Sequence, residues 1–269
     1  EEPATNEIFS YTYEPDDEKE LVMRKPEMII FYFGHTLLYE PDWDSERGNR
    51  ELFRYITKNP DGVTVEDFQK ANYDVFGQVE NVRTSCNCDF SARVGNRVVD
   101  ELLNVEFSLT PLERESVFWT AAASSAVMPY ADKMLDHLNE NKIRTAVISN
   151  ILWSGEALTE RINRALPNNK FEFVIASSDY MYRKPSRVLF DIALKKAGLP
   201  ADRVWYCGNS LGNDVFGAHG AGIYPVLYDD SSVGRSSSSS GADNSALPDF
   251  DYLHIHDWQE LINILKKTV

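Results

Sequence analysis

The sequence predicts an α/β protein in which a doubly wound parallel sheet is interrupted by an inserted helical segment. After residue 128, short continuous apolar runs alternate with amphipathic helical patterns, which is typical of parallel strands covered on both faces. Several of these runs end in polar residues, and ligands of such sheets bind at the carboxyl ends of the strands. Residues 41–128 contain no strand-like run and space their apolar residues as helices do.

The first predicted elements are a strand that precedes the insertion and several helices within it. An apolar run that begins at Met28 predicts the first strand, which ends in a polar, glycine-containing turn. Within the insertion, Thr64 and Asp67 have the spacing of a capping box at the start of a helix. Two further helices are predicted there, one in residues 89–103 and one after residue 110, where a proline occupies the first turn.

The chain after the insertion alternates regularly between helices and strands. Its strands are predicted at residues 145–149, 173–176, 203–207 and 224–228. Its helices are predicted at residues 130–141, 155–165, 188–197 and 214–221, with a closing helix from residue 258. Residues 229–249 include five consecutive serines, have no apolar period, and are predicted to form a low-complexity loop.

These patterns divide the chain into three parts. Residues 1–25 are rich in Glu, Asp, Pro and Tyr, and are predicted to form an acidic N-terminal arm that lies on the surface or is disordered. Residues 26–40 and 129–269 form the predicted α/β core, and residues 41–128 form the helical insertion.

Composition favours a soluble globular protein. The 269 residues are 43% hydrophobic, which is enough to fill a core. A net charge of -15 repels polyanions, so we expect no nucleic-acid or membrane partner. No apolar run reaches the roughly 20 residues that span a bilayer, and no signal segment opens the sequence. Three cysteines are too few for a disulfide framework, which favours a reducing, cytoplasmic location.

Tyr32, Gly34 and Thr36 lie in the turn after the first predicted strand. This turn and three later segments resemble the four motifs of the haloacid dehalogenase-like hydrolase superfamily. The family has Asp-x-Asp-x-Thr after its first strand, where this chain has Tyr32, Gly34 and Thr36, so that only Thr36 matches. The apolar run that ends in Ser149 and Asn150 resembles the second motif.

The third and fourth motifs lie further along the chain. Lys184, just before a predicted helix, resembles the lysine of the third motif. The stretch from Gly208 to Asp214 resembles Gly-Asp-x-x-x-x-Asp, with Asn209 in place of the first acid. The four motifs together reach from about residue 28 to residue 222.

The resemblance implies a capped phosphatase with a Rossmann-like core, in which residues 41–128 are a helical cap over the active site. It assigns the nucleophile position to Tyr32 and the acid/base position to Gly34, with Thr36 in the same catalytic motif. The positions it assigns to phosphate binding are Ser149, Asn150 and Lys184. The positions it assigns to Mg²⁺ are Asp214, Asn209 and the carbonyl of Gly34.

The residues at these positions indicate damaged catalysis and retained anion binding. A phenol has a reference pKa of about 10, so Tyr32 is mostly neutral at pH 7, and its oxygen lies further from the backbone than a carboxylate. Mg²⁺ prefers hard, charged oxygens, and with Tyr32 and Asn209 neutral only Asp214 supplies a charge. We therefore expect weak or absent Mg²⁺ binding. Ser149 and Lys184 are still able to hold an anion.

Other candidate residues have two interpretations each. His35 could act as an acid or base, or it could be a turn histidine packed under the cap. Arg93 and Arg97 lie four apart on one predicted helix and could meet a substrate's charge or form a solvated face. Cys86 and Cys88 could bind a soft metal, but further ligands are missing nearby, and ordinary thiols are expected.

Three functions stay open at this level. The first is a scaffold descended from a Mg²⁺-dependent phosphatase of a small phosphorylated metabolite, catalytically impaired by Tyr32 and Asn209, that binds phosphate as a non-catalytic or regulatory module. The second is an active phosphohydrolase whose natural sequence has Asp at position 32, since Asp and Tyr codons differ by one nucleotide. The third is a structural interaction protein whose acidic surface and arm bind a basic partner.

Overall fold

The structure is a computed structural model that describes residues 24–230, 233 and 247–268. Nearly all of the predicted acidic arm and most of the serine-rich loop lie outside these residues. None of the helices described there is long and apolar enough to cross a membrane.

The described strands fall into one large sheet and two short pairs. The ten strands are β1 (Met28–Phe31), β2 (Leu38–Tyr39), β3 (Ile56–Lys58), β4 (Glu106–Phe107), β5 (Ala126–Val127), β6 (Arg144–Ser149), β7 (Phe171–Ala176), β8 (Val204–Gly208), β9 (Tyr224–Tyr228) and β10 (Leu253–Ile255). The large sheet has the order β10-β9-β8-β1-β6-β7, and every neighbouring pair is parallel. The predicted doubly wound parallel α/β fold is therefore confirmed.

The helices connect the strands and fill the insertion. The nine described α-helices are α1 (Ser45–Phe53), α2 (Val65–Cys86), α3 (Ala92–Leu103), α4 (Pro111–Ala122), α5 (Ala131–Glu140), α6 (Gly155–Ala165), α7 (Arg187–Ala197), α8 (Phe216–Gly220) and α9 (Trp258–Lys267). The predicted capping box is confirmed at the start of α2, because Thr64 Oγ1 accepts from the Asp67 amide and Asp67 accepts from the Thr64 amide.

Alternate residues of β1 point to opposite faces of the sheet and enter two separate cores. Ile29 and Phe31 pack in the core covered by α5, α6 and α9, and Met28 and Ile30 pack in the core covered by α7 and α8. All four side chains are fully buried. A third, smaller core around Phe68 holds the helices of the insertion together. Burial on both faces explains why β1 is apolar without alternation.

Some predicted elements differ from the structure. Residues 41–128 are not purely helical, because β3 pairs with β4 inside them and β5 pairs antiparallel with β2. These strands have two or three residues each, too few to show a periodicity. The helix predicted at 214–221 instead begins as a π-helical turn, Leu211–Val215, in which the Val215 amide donates to the Ser210 carbonyl. Strand β10 was not predicted at all.

Candidate functional site

The sheet brings the predicted motif residues to one edge. Tyr32 directly follows β1, Ser149 ends β6, and Gly208 ends β8. Strands β6 and β8 flank β1, and the Tyr32 amide donates to the Cys207 carbonyl at 2.8 Å. The carboxyl ends of three adjacent parallel strands therefore form the candidate site.

A buried cluster of polar side chains lies at the centre of this edge. Lys184 and Asp214 are each only 1% exposed, and Lys184 Nζ donates to Asp214 Oδ1. Lys184 Nζ also donates to the Tyr206 hydroxyl at 2.6 Å, which lies 3.1 Å from Asp214 Oδ1. Burial lowers the pKa of Lys184, and the charge of Asp214 opposes that shift. Burial and Asp214 both raise the pKa of Tyr206.

The backbone of Lys184 is held by Asn150. The Asn150 side chain accepts from the Lys184 amide at 2.8 Å and donates to the Lys184 carbonyl at 3.0 Å. Lys184 precedes a proline through a cis peptide bond. The side chain of Asn150, which the sequence assigned to phosphate binding, is thus paired with the protein backbone and positions Lys184.

Asp214 approaches the end of β8 because Gly208 has no side chain. The second carboxylate oxygen of Asp214 accepts from the Ser210 amide at 3.1 Å. A Cβ atom at Gly208 would lie 2.6 Å from Asp214 Cβ and closer still to its carboxylate. Glycine at this position therefore permits the buried ion pair.

The ring of Tyr32 covers this cluster. Lys184 Nζ lies 4.0 Å from the centre of the half-buried Tyr32 ring, a distance at which a cation is attracted by the ring face. Burial, followed by the charge of Asp214, raises the pKa of Tyr32 above its ordinary value. The phenol is therefore neutral at pH 7 and is not a nucleophile for phosphorus.

The hydroxyl of Tyr32 occupies the space beside Gly34. A Cβ atom at Gly34 would lie 3.1 Å from the Tyr32 hydroxyl oxygen, which is closer than ordinary van der Waals contact. An acid at position 34, as in the family motif, would require the phenol to move. The Tyr32 phenol therefore fills the space that a side chain at position 34 would need.

We expect Gly34→Ala to destabilise the chain by about 1 kcal/mol, the lower end of the cost of overpacking. The same change made together with Tyr32→Ala is expected to cost less, because the phenol is gone. Urea unfolding of the two single variants and the double variant measures the coupling. Additive losses would show that the two positions do not share this space.

Ser149 has no hydrogen-bond partner in the described part of the chain. It is 1% exposed, and its buried hydroxyl contacts neither a donor nor an acceptor there. A buried hydroxyl without a partner costs free energy, and such groups in native structures call for an explanation. The hydroxyl therefore lies at the carboxyl end of β6 without a partner among the described residues.

Two arginines outside the predicted site residues influence the pKa of Tyr32. The charges of Arg183 and Arg83 oppose the rise in the pKa of Tyr32. Arg83 Nε donates to the buried Asp89 at 2.5 Å, and Arg183 lies 3.7 Å from the same carboxylate. Arg183 was detectable as the neighbour of Lys184 in the third motif, but the pairing of Arg83 with Asp89 is a tertiary contact.

The remaining residues of the first motif have structural contacts. Thr36 is fully buried, and its hydroxyl donates to the Gly34 carbonyl at 3.4 Å. His35 is half-buried in the left-handed region with a φ of 49°, and burial lowers its pKa. Its ring centre lies 6.3 Å from that of Tyr39, so His35 is a turn residue packed against an aromatic side chain.

The two candidate arginines of the insertion are paired with acids. Arg93 donates to the buried Glu115 at 2.9 Å and also to Ser154 at the start of α6. Arg97 forms an exposed pair with Glu101, four residues later on α3. Arg93 therefore links the insertion to the core, and Arg97 belongs to a solvated face.

The donor set does not fit Mg²⁺ in this arrangement. Asp214 is the one carboxylate among the predicted ligands, and its two oxygens accept from Lys184, Tyr206 and the Ser210 amide. Asn209 is neutral, and the Gly34 carbonyl already accepts from Thr36. Mg²⁺ requires near-octahedral coordination by hard oxygens, usually with one or two free carboxylates. The ammonium of Lys184 takes the place of a cation beside Asp214.

Part of the chain is similar in sequence to the haloacid dehalogenase-like hydrolases and to one curated phosphatase. Residues 119–227 match the profile of the haloacid dehalogenase-like hydrolase family. A ribulose-1,5-bisphosphate 5-phosphatase from Halopiger xanaduensis is 25% identical over 130 residues, which are 48% of this chain and 53% of that protein. The matched region therefore spans about half the length of this relative.

Solved structures share the fold over most of the chain. A HAD phosphatase from Thermococcus onnurineus matches with a TM-score of 0.56 at 18% identity, covering 90% of this chain and 98% of that one. A predicted phosphoglycolate phosphatase from Haemophilus somnus matches with a TM-score of 0.54 at 16% identity, covering 90% and 99%. A 2-haloacid dehalogenase from Pseudomonas syringae pv. Tomato matches with a TM-score of 0.52 at 17% identity, covering 89% and 98%.

Proposed function

Because the chain has the fold of the haloacid dehalogenase-like hydrolases and matches them in sequence over residues 119–227, we propose that it binds a small phosphorylated molecule and hydrolyses it poorly. The phosphoryl group would lie at the carboxyl ends of β1 and β6. Tyr32, at the nucleophile position, would keep turnover low. The relative named as a ribulose bisphosphate phosphatase supports a phosphate ester as the ligand.

The observation that carries this proposal is the unpartnered hydroxyl of Ser149. It lies at the carboxyl end of β6, where ligands bind in parallel sheets. Arg183 adds positive charge in the adjoining segment, which Asn150 ties to the end of β6, whereas the charge of Lys184 is taken up by Asp214. A hydroxyl donor beside a positive charge is the arrangement that binds an oxyanion.

Low turnover follows from the first motif. Phosphoryl transfer to an enzyme requires an ionised oxygen in line with phosphorus, and the pKa of the Tyr32 phenol is raised by burial. Because Asp214 is paired with Lys184, its carboxylate is not free to bind a metal ion. Binding without efficient hydrolysis is the chemistry that these residues support.

We expect Tyr32→Asp to raise phosphatase activity at least about 100-fold, because a misplacement of about 1 Å at a reacting group already costs roughly that factor. The natural chain, Tyr32→Asp and the control Tyr32→Phe are assayed with p-nitrophenyl phosphate and with sugar and nucleotide phosphates. Each assay is made with and without Mg²⁺. Tyr32→Phe keeps the ring but supplies no carboxylate, so it should stay as inactive as the natural chain.

Binding is measured separately by calorimetry with inorganic phosphate. The natural chain should bind phosphate without Mg²⁺, and Ser149→Ala should weaken that binding. In Tyr32→Asp, loss of the Ser149 hydroxyl should lower kcat by about 100-fold, the typical effect of removing one oxyanion donor. Equal activity of the natural chain and Tyr32→Asp would contradict the role given to Tyr32. Phosphate binding unchanged by Ser149→Ala would contradict the site.

A further inference from the structure

A second group of potential ligands lies on the outermost strand of the sheet. Asp229 directly follows β9, His254 belongs to β10, and His256 directly follows β10. One ligand atom from each of these three side chains lies within 4.8 Å of the other two. The group shares no residue with the site around Lys184 and plays no part in the proposed function.

The strand register explains why the three side chains converge. Ile255 of β10 pairs with Tyr228 of β9, and the Asp229 amide donates to the Ile255 carbonyl at 2.9 Å. His254 and His256 are two residues apart, so their side chains point to the same face of the strand, while Ile255 is buried on the other. The two histidine side chains therefore lie next to the carboxylate of Asp229, which follows the neighbouring strand β9.

The distance between two of the three ligand atoms is close to that in a tetrahedral zinc site. His254 Nε2 lies 3.7 Å from Asp229 Oδ2, close to the about 3.4 Å that separates two ligands of a tetrahedral Zn²⁺ with bonds of about 2.0–2.1 Å. The ring centres of His254 and His256 are 4.6 Å apart. Both imidazoles are exposed, and Asp229 is half-buried, so an ion can enter from solvent.

Hydrogen bonds already orient one of the ligands. His256 Nδ1 lies 3.3 Å from the Asp229 carbonyl, and the His256 amide donates to Glu260 at 2.8 Å. A ring N–H that donates to a backbone carbonyl leaves Nε2 as the lone-pair donor, which is the usual outer support of a metal-bound histidine.

We propose that Asp229, His254 and His256 bind a borderline divalent transition-metal ion of the Zn²⁺ class. Two imidazoles and one carboxylate are ligands that favour Zn²⁺ over Mg²⁺ or Ca²⁺, which prefer oxygen. Three protein ligands leave a fourth position for water or a further donor. The ion would tie the edge strand β10 to β9.

The test titrates the Cys86→Ser/Cys88→Ser chain with Zn²⁺ by calorimetry, since the two thiols are alternative Zn²⁺ ligands. One equivalent is expected to bind and to raise Tm, because an ion that binds only the folded state stabilises it. Each of His254→Ala, His256→Ala and Asp229→Asn should weaken Zn²⁺ binding at least about tenfold. Removing a residue that only hydrogen-bonds a metal ligand already costs about that factor in affinity.

His137→Ala is the matched control, because it removes a partly exposed histidine on α5 and should leave Zn²⁺ affinity unchanged. Co²⁺ gives a second readout, since a tetrahedral site produces strong visible absorbance that the three variants should lose. Circular dichroism of each variant without metal checks that the fold is kept. No Zn²⁺ binding by the parent chain, or binding that survives all three substitutions, would overturn the proposal.

Discussion

Lys184→Met is expected to lower the free energy of unfolding by about 3–5 kcal/mol, the typical cost of removing one partner of a buried ion pair. The substitution keeps a long unbranched side chain but removes the ammonium that donates to Asp214 and Tyr206. Asp214, 1% exposed, would then hold a carboxylate in the core without its positive partner. Urea unfolding of the natural chain and the variant measures the loss.

Two further variants separate the ion pair from general packing. Lys184→Met/Asp214→Asn removes both charges, so it should lose less than the sum of the two single changes. Lys70→Met is the surface control, because Lys70 pairs with Asp74 on the exposed side of α2, and exposed ion pairs contribute little to stability. A loss at Lys184 no larger than the loss at Lys70 would show that the buried pair does not hold the site together.

Gly208→Ala is expected to destabilise the chain by about 3 kcal/mol, the upper end of the usual cost of overpacking. The new methyl group would lie 2.6 Å from Asp214 Cβ, and Asp214 cannot retreat without losing its bonds to Lys184, Tyr206 and the Ser210 amide. The collision therefore either breaks the polar cluster or bends the end of β8. Thermal and urea unfolding measure the cost.

Gly77→Ala is the matched control for Gly208. Gly77 lies inside α2, and no heavy atom lies within 4 Å of the position its Cβ would take. Alanine is favoured over glycine in a helix interior by roughly 0.5–1 kcal/mol, so this variant should be slightly more stable than the natural chain. Similar losses at both glycines would contradict the close approach of Asp214 as the reason for Gly208.

Both predictions concern the same buried ion pair, formed by the ammonium of Lys184 and the carboxylate of Asp214. Lys184 neutralises Asp214, and the Tyr32 ring covers Lys184. The chemistry of the family motifs that this chain resembles would need a free carboxylate at position 32 and a carboxylate that binds a metal ion. Tyr32→Asp supplies the first, and the same carboxylate is available to a metal ion, which is why the phosphatase assay is made with and without Mg²⁺.

The sequence predicted the sheet because its signals are local. Apolar runs, the capping box at Thr64 and the polar ends of β1 and β6 each depend on a few neighbouring residues, and the structure bears out the fold that they indicate. The short strands β2 to β5 and the edge strand β10 were missed, since strands of two or three residues carry too little pattern to recognise.

The sequence by itself determined the fold class, the resemblance to the hydrolases and the absence of an acid at position 32. Tertiary structure alone decided which groups are paired: Lys184 with an acid 30 residues away, Asn150 with the Lys184 backbone, and two histidines with Asp229. These pairings join residues far apart in sequence, and they depend on which strands lie side by side. Which residues pair in this way depends on how the sheet packs, and no periodicity or spacing in the sequence indicates it.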